Sequence, residues 1–195
     1  MTSRFKTFLN YYNRHEKVLN ESPVRLGRHY GEELDDNWFN VETAKETLHD
    51  LSSEKVLSRK VFNVNLNLFR DSYEEDKFQD YWITDQPFIS CYFLFKKTGN
   101  GLQSLGVWNH KTFKGTAKDL IFSHYLENFD FVISDNKHSD QGETYWKNIV
   151  KIAETNGNAV RVVARDGFES ELKDLDNLWG SSEEFSNFRI KVFKR

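Results

Sequence analysis

The residues best suited to chemistry form the segment KGTAK, at the start of an apolar run with helical spacing. Backbone amides at a helix N-terminus lack intrahelical acceptors and, together with the helix dipole, attract anions. Gly115 lets a ligand approach the backbone closely, and Thr116 and Ala117 supply amides. Lys114 and Lys118 add positive charge on either side. The segment predicts a site for a pyrophosphate.

A second interpretation of the same segment involves no ligand. Thr116 and Asp119 are three residues apart and match a capping box with aspartate in the glutamate position. The segment then begins an ordinary capped helix that runs to about Asn128, and its lysines are solvated. The sequence leaves both interpretations open.

Candidates for acid–base chemistry follow the predicted strand FDFVISD. Asp135 ends this strand, and His138 lies in the loop after it. Ligands gather at the carboxyl ends of strands in open α/β sheets, so Asp135 and His138 are the candidates for proton transfer. The alternative is structural, because such side chains often fix tight loops through hydrogen bonds to the backbone.

Metal and thiol chemistry have little support. The six histidines are scattered, and none is spaced with cysteine or carboxylates as a ligand set, so no metal site is predicted. Cys91 is the single cysteine and lies in the apolar run FISCYFLF, which excludes a disulfide framework and predicts a buried, inert thiol. His124 falls on the apolar face of a predicted helix, where we expect it to pack.

Charge and composition narrow the class of protein. The 195 residues carry a formal net charge of −3, which argues against extensive nucleic-acid binding. Aromatic residues make up 15% of the chain, enough for a substantial core. No apolar stretch approaches the length of a membrane span, and the N-terminus lacks the apolar region of a secretory signal. We therefore expect a cytoplasmic protein without membrane or nucleic-acid partners.

The spacing of hydrophobic residues along the chain predicts the helices and strands that would position these residues. Helical spacing around residues 3–19 and 41–55 predicts a helical segment over residues 1–55, packed on the core. The pattern then alternates in KVFNVNLNLF, which predicts one strand, whereas DSYEEDKFQDYW reads as a polar connection or a short helix. Two further strands, QPFISCYFLFKK and LQSLGVWNHKTF, meet in a hairpin at Gly99–Gly101.

The rest of the chain alternates helices with strands. A helix to about Asn128, the strand FDFVISD, a helix over about Glu143–Glu154 and the strand NAVRVVARD are followed by a final strand, FRIKVFK. Residues 56–195 are thus predicted to form one α+β domain. Its central sheet is expected to be mixed and mostly antiparallel, with flanking helices and parallel crossovers in the second half.

This order of elements resembles the GCN5-related N-acetyltransferase (GNAT) fold, whose core runs β-β-β-α-β-α-β. The family's pyrophosphate loop, Q/R-x-x-G-x-G/A, is similar to the window TFKGTA, where Gly115 and Ala117 match and Thr112 replaces Gln or Arg. The resemblance implies that Lys114–Lys118 binds acetyl-CoA or another acyl-CoA, with pantetheine inserted between two diverging strands. It implies transfer of the acyl group to an amine.

The stretch ISDNKHSDQGETYW is similar to a pattern in GNAT-like proteins of tailed bacteriophages. There a strand ending in Ser-Asp precedes a polar loop, a glycine and a tryptophan. The matching residues are Ser134, Asp135, Ser139, Gly142 and Trp146. The resemblance covers about residues 60–165 and implies a phage-encoded protein that works in the host cytoplasm.

The sequence departs from the family at the positions that would catalyse. The strand LQSLGVWNH has no glutamate to act as a base, and the helix ending KIAETNG has no tyrosine near its end to protonate the leaving thiolate. Asp135 and His138 are the nearest base candidates, and Tyr145 lies a few turns too early. The resemblance therefore implies acyltransferase ancestry and leaves present activity open.

A non-enzymatic binding protein on the same scaffold is the alternative. It would be a phage factor that captures a host protein, or a virion component. The segments HYGEELDDNWFN and DSYEEDKFQDYW combine acidic with aromatic residues. Trp38, Phe39, Tyr81 and Trp82 are the anchor types that interfaces favour; the competing interpretation is that they cap the core.

Overall fold

The computed structural model describes residues 57–61, 64–84, 89–135, 140–164, 166–172 and 188–195. The helical segment predicted over residues 1–55 lies outside the described residues, as does the predicted domain boundary. Trp38, Phe39 and His138 also lie outside them.

The strands of the described residues form one nine-stranded sheet in the order β1-β2-β3-β4-β5-β6-β9-β7-β8. Neighbouring strands are antiparallel except β5 and β6, which are parallel. The predicted α+β class, with a mixed and mostly antiparallel sheet, is confirmed. The strand bounds are Leu57–Val61 (β1), Val64–Glu74 (β2), Lys77–Thr84 (β3), Ile89–Thr98 (β4), Gly101–Asn109 (β5), Phe131–Ile133 (β6), Val160–Ala164 (β7), Glu169–Glu171 (β8) and Phe188–Phe193 (β9).

Helices of the described residues follow β5 and β6. A 3₁₀ turn, Lys111–Phe113, precedes a continuous helical run made of α1 (Thr116–Leu120), a π-helical segment (Ile121–Tyr125) and α2 (Leu126–Asn128). We call this run the composite helix. The next helix, α3, spans Asp140–Thr155. Both helices predicted for this region are confirmed, and α3 begins at its first acidic residue rather than near Glu143.

The first five strands form a meander whose local signals lie in the sequence. In β2, Leu66 and Leu68 are buried and Asn65 is exposed, as the alternation predicts. The hairpin between β4 and β5 turns at Gly99, whose φ of 58° favours glycine. These local choices agree with the antiparallel pairing of the strands.

Two predictions in the meander were wrong. KVFNVNLNLF is not one strand, since β1 ends at Val61, β2 begins at Val64, and the two pair antiparallel. DSYEEDKFQDYW is not a polar connection, because it contains the end of β2, a tight turn and the start of β3. The sequence pattern did not indicate a strand there because one of its buried positions is a carboxylate. Asp80 is 0% exposed and accepts hydrogen bonds from Arg70 of β2.

The second half of the sheet departs from simple parallel crossovers. β5 and β6 are parallel neighbours, as predicted. β6 and β7 share a direction, but β9 lies between them and is antiparallel to both. The C-terminal strand therefore completes the sheet by pairing over a long sequence separation.

The composite helix and α3 pack on the same side of the sheet. Tyr125 of the composite helix contacts Phe93 and Phe95 of β4, with ring centroids 4.9 and 4.5 Å apart. Trp146 of α3 belongs to the same buried cluster. We call this side of the sheet the helix-facing side. The β5 residues that pair with Phe95, Phe93 and Cys91 of β4 also lie on it: Ser104, Val107 and Asn109.

Candidate functional site

The candidate site lies along β5 beyond the point where its parallel neighbour β6 ends. These parallel strands pair at only two positions, Leu102 with Val132 and Gln103 with Ile133. β5 continues to Asn109, and among the described residues no strand pairs with this edge of β5 beyond Gln103. β6 ends at Ile133 while β5 runs on, and we call the edge of β5 over residues 104–109, which has no strand neighbour among the described residues, the gap. Its closed end lies beside Gln103 and its open end at Asn109.

A bulge in β5 lies at the closed end of this gap. Phe95 of β4 pairs with Ser104, and the preceding Leu94 pairs with Gly106, so Leu105 is an extra residue in β5. A bulge bends its strand and increases the local twist. Here the bend begins one residue after the last β5–β6 pair, at the point where β6 ends.

The composite helix begins beyond the open end of the gap, at Gly115. This glycine is the N-cap, with φ 90° and ψ −21°, a left-handed conformation. The first intrahelical hydrogen bond joins the Asp119 amide to the Gly115 carbonyl at 2.9 Å. The predicted capping box is wrong: Thr116 is buried inside the first turn, and Asp119 accepts from Ser123 Oγ at 3.1 Å.

Asn109, the last residue of β5, caps the composite helix in place of Thr116. Its Oδ1 accepts the Ala117 amide at 3.0 Å, and its Nδ2 donates to the carbonyls of His110 and Phe113, both at 2.9 Å. One side chain thus fixes the whole turn from strand to helix. A cap eight residues away from its amide leaves no local signal in the sequence.

The Asn109 cap also changes which amides remain for an anion. The first four amides of a helix have no intrahelical acceptor. The Ala117 amide is taken, which leaves those of Gly115, Thr116 and Lys118 among the residues that we predicted for pyrophosphate. Lys114 is exposed and Lys118 is half-buried, and the two lysines stand on either side of Gly115 and Thr116 along the chain.

Asp135 lies at the closed end of the gap, just after β6. It is half-buried, and its Oδ1 accepts from Gln103 Nε2 at 3.3 Å, across the two strands. Ser134 beside it is fully buried, and its Oγ accepts from the Ile190 amide at 2.9 Å. A hydrogen bond therefore joins Asp135 to Gln103 of β5. His138, the other predicted candidate for proton transfer, lies outside the described residues.

Two of the predicted interface aromatics are core residues. Tyr81 is 2% exposed and Trp82 is 0% exposed. Trp82 donates from Nε1 to Tyr125 Oη at 3.0 Å, on the helix-facing side. Neither ring is available as an exposed anchor, because the segment that carries them is β3 rather than a surface connection.

Two other reactive groups are held inactive by burial. Burial raises the pKa of the Cys91 thiol far above its ordinary value, so this thiol stays protonated. His124 packs edge-on against Trp82 and Tyr125, and burial lowers its pKa to about 4. Its imidazole is neutral near pH 7, in agreement with the expected packing role.

Comparison with known proteins gives no relative: the chain matches no protein-family model, no curated protein and no solved structure. No helix in the described ranges is long and apolar enough to cross a membrane.

Proposed function

We propose that this chain is a GNAT-like domain protein of acyl-CoA-dependent N-acyltransferase ancestry, and that it binds acyl-CoA in the gap between β5 and β6. The observation that supports the proposal is the parallel pair that ends at Gln103 while β5 runs on to Asn109 without a strand neighbour among the described residues. An antiparallel meander before this pair and a helix between its strands agree with the family's order of elements.

The pyrophosphate would bind at the start of the composite helix. The amides of Gly115, Thr116 and Lys118 carry the partial positive charge of the helix dipole, and Lys114 adds a full charge. The left-handed Gly115 has no side chain to keep a phosphate oxygen away from the backbone. The pantetheine arm would then extend from this end into the gap.

Asp135 is the described candidate for receiving the proton of an acceptor amine. Its carboxylate is half-buried at the closed end of the gap, where the acyl group of an inserted ligand would lie. Positioning alone supplies much of the acceleration of an acyl transfer, and a nearby base adds a smaller factor. The hydrogen bond from Gln103 orients this carboxylate.

A non-enzymatic binding protein, such as a bacteriophage factor that captures a host protein or a virion component, is the second candidate. The observation that favours it is a pair of exposed aromatics at one end of the sheet, Phe168 at 69% and Phe188 at 38% exposure. Ala164 links them, because it pairs with Phe188 and its amide donates to the Phe168 carbonyl. This surface would replace Tyr81 and Trp82 as the interface. Loss of a purified partner's binding in Phe168→Ser, with no binding of CoA, would favour this candidate.

Thermal unfolding with and without CoA tests the proposal. A ligand present at 100 times its Kd stabilises a protein by about 2.7 kcal/mol, a rise in Tm of about 5–10 °C for a chain of this size. Gly115→Glu should abolish the rise, because it puts a side chain and a negative charge at the anion site.

Gly167→Glu is the matched control. Gly167 has nearly the same conformation, φ 88°, and a side chain there meets open space. Both variants therefore carry similar backbone strain and the same added charge, and only Gly115→Glu should lose the response to CoA. No rise in Tm with millimolar CoA in the unaltered protein would remove the proposal.

A further inference from the structure

A row of aromatic side chains crosses four neighbouring strands on the side of the sheet opposite the helices. Phe69 of β2 pairs with Tyr81 of β3, Tyr81 pairs with Tyr92 of β4, and Tyr92 pairs with Trp108 of β5. Each of the four directly adjoins a helix-facing residue along its strand, as Tyr81 adjoins Trp82. Because successive side chains of a strand point to opposite faces, the four rings lie on the other side. We call these four residues the aromatic row.

The aromatic row is largely buried, although the described helices pack on the other side of the sheet. Tyr81, Tyr92 and Trp108 are 2%, 5% and 3% exposed, and none of them belongs to the buried cluster of the helix-facing side. His110 contacts the Trp108 ring, with centroids 5.9 Å apart, but it lies beyond the end of β5. A solvated face of an antiparallel sheet carries polar side chains instead. A further layer of protein therefore covers this face.

The chain that precedes β1 reaches the sheet at the level of the aromatic row. Leu57, the first residue of β1, pairs with Leu68, which directly precedes Phe69. β1 and β3 are two strand spacings apart, about 10 Å. Residues 173–187 connect β8 to β9, and both of these strands lie at least four spacings from β3, about 19 Å or more. The position of β1 therefore favours residues 1–56 as the source of the covering layer.

We propose that the predicted helix over residues 41–55 docks on the aromatic row and forms a third layer of the domain. Apolar residues recur along it with helical spacing: Val41, Ala44, Leu48 and Leu51. A helix of this length is about 22 Å long, and the row spans three strand spacings, about 14 Å, so one helix can cover it. The phenols permit apolar packing, because Tyr81 and Tyr92 both donate to Gln79 Oε1, at 2.7 and 3.0 Å. The inference is independent of acyl-CoA binding.

Tyrosine nitration by tetranitromethane, followed by peptide mass spectrometry, tests the inference in the full chain. Tyr81 and Tyr92 should stay unmodified in the unaltered protein. Leu48→Glu should raise their nitration about tenfold or more, because the docked helix would then bury an unpaired charge. Tyr125, which is fully buried on the helix-facing side, should stay unmodified in both proteins. Ser53→Glu is the matched control, since it adds the same charge on the opposite side of the predicted helix and should leave the nitration unchanged.

Hydrogen exchange of the unaltered protein gives a second measurement, which needs no variant. Amides of residues 41–55 should exchange about tenfold or more slowly than those of an unstructured chain, and exchange at the unstructured rate would overturn the inference. Unchanged nitration of the row in Leu48→Glu would assign the cover to another segment and overturn it. Nitration of the unaltered protein that rises on dilution would assign the cover to a second copy, with the same consequence. If Tyr125 also reacts in Leu48→Glu, the milder Leu48→Ala decides by the same selectivity.

Discussion

Asp80→Asn should destabilise the protein strongly, because Asp80 is the centre of a buried polar network. Its two carboxylate oxygens accept from Arg70 Nε and Nη2 at 2.7 and 2.8 Å. Tyr125 Oη donates to the same carboxylate at 2.9 Å and accepts from Trp82 Nε1 at 3.0 Å. The network ties β2 and β3 to the π-helical segment of the composite helix. Burial raises the pKa of Asp80, opposed by its hydrogen bonds to Arg70 and Tyr125.

The magnitude follows from the exposure of the two charges. Breaking a fully buried ion pair costs about 3–5 kcal/mol, because it leaves an uncompensated charge. The Arg70 side chain is 27% exposed, so water recovers part of this cost, and we expect a loss of about 2–4 kcal/mol. Tyr125→Phe should cost about 2–3 kcal/mol, since it removes a hydrogen bond to a charged group and leaves Trp82 Nε1 without its acceptor.

Urea unfolding followed by tryptophan fluorescence measures both losses. The double variant should lose less than the sum of the two single losses, because the residues act in one network. Glu127→Gln is the control: its partner Arg59 forms an exposed pair, which is worth less than about 1 kcal/mol. If Asp80→Asn lowers the free energy of unfolding by no more than Glu127→Gln does, the network is not a main support of the fold.

Two further predictions concern His124 and Gly101. Because the pKa of His124 is lowered to about 4, its imidazole becomes protonated in the unfolded chain as the pH falls from 6.5 towards 4, but stays neutral in the folded chain. Stability should fall by up to about 3 kcal/mol over this window, and the fall should be smaller in His124→Gln; equal pH dependence of the two proteins would contradict this. Gly101→Ala would place a Cβ 2.3 Å from the Phe131 ring, so we expect a loss of about 1–3 kcal/mol in urea unfolding. The loss should be partly recovered in the double variant with Phe131→Leu, and a neutral Gly101→Ala would refute the close contact.

The sequence predicted the elements whose signals are local. Alternation identified the strand through Leu66 and Leu68, glycine identified the hairpin at Gly99, and helical spacing identified both helices after β5. The class of the sheet followed from the order of these elements. Each of these features depends on residues that are close along the chain.

The missed features depend on partners that are distant along the chain. β3 was overlooked because Asp80 reads as a surface residue until Arg70 is seen beside it on β2. The position of β9 between β6 and β7 depends on pairing that no local pattern encodes. At the site, the Asn109 cap and the extra residue Leu105 in β5 are visible only once the strands are in register.

The most direct test of the central claim is an NMR titration of the isotope-labelled protein with CoA. We expect saturable shifts of the amide resonances of Gly115, Thr116 and Lys118. The shift at Ala117 should be smaller, because its amide already donates to Asn109. The amide resonance of Gly167, in the turn between β7 and β8, should not shift. Absence of saturable shifts at the start of the composite helix, with millimolar CoA present, would contradict the claim that this gap binds an acyl carrier.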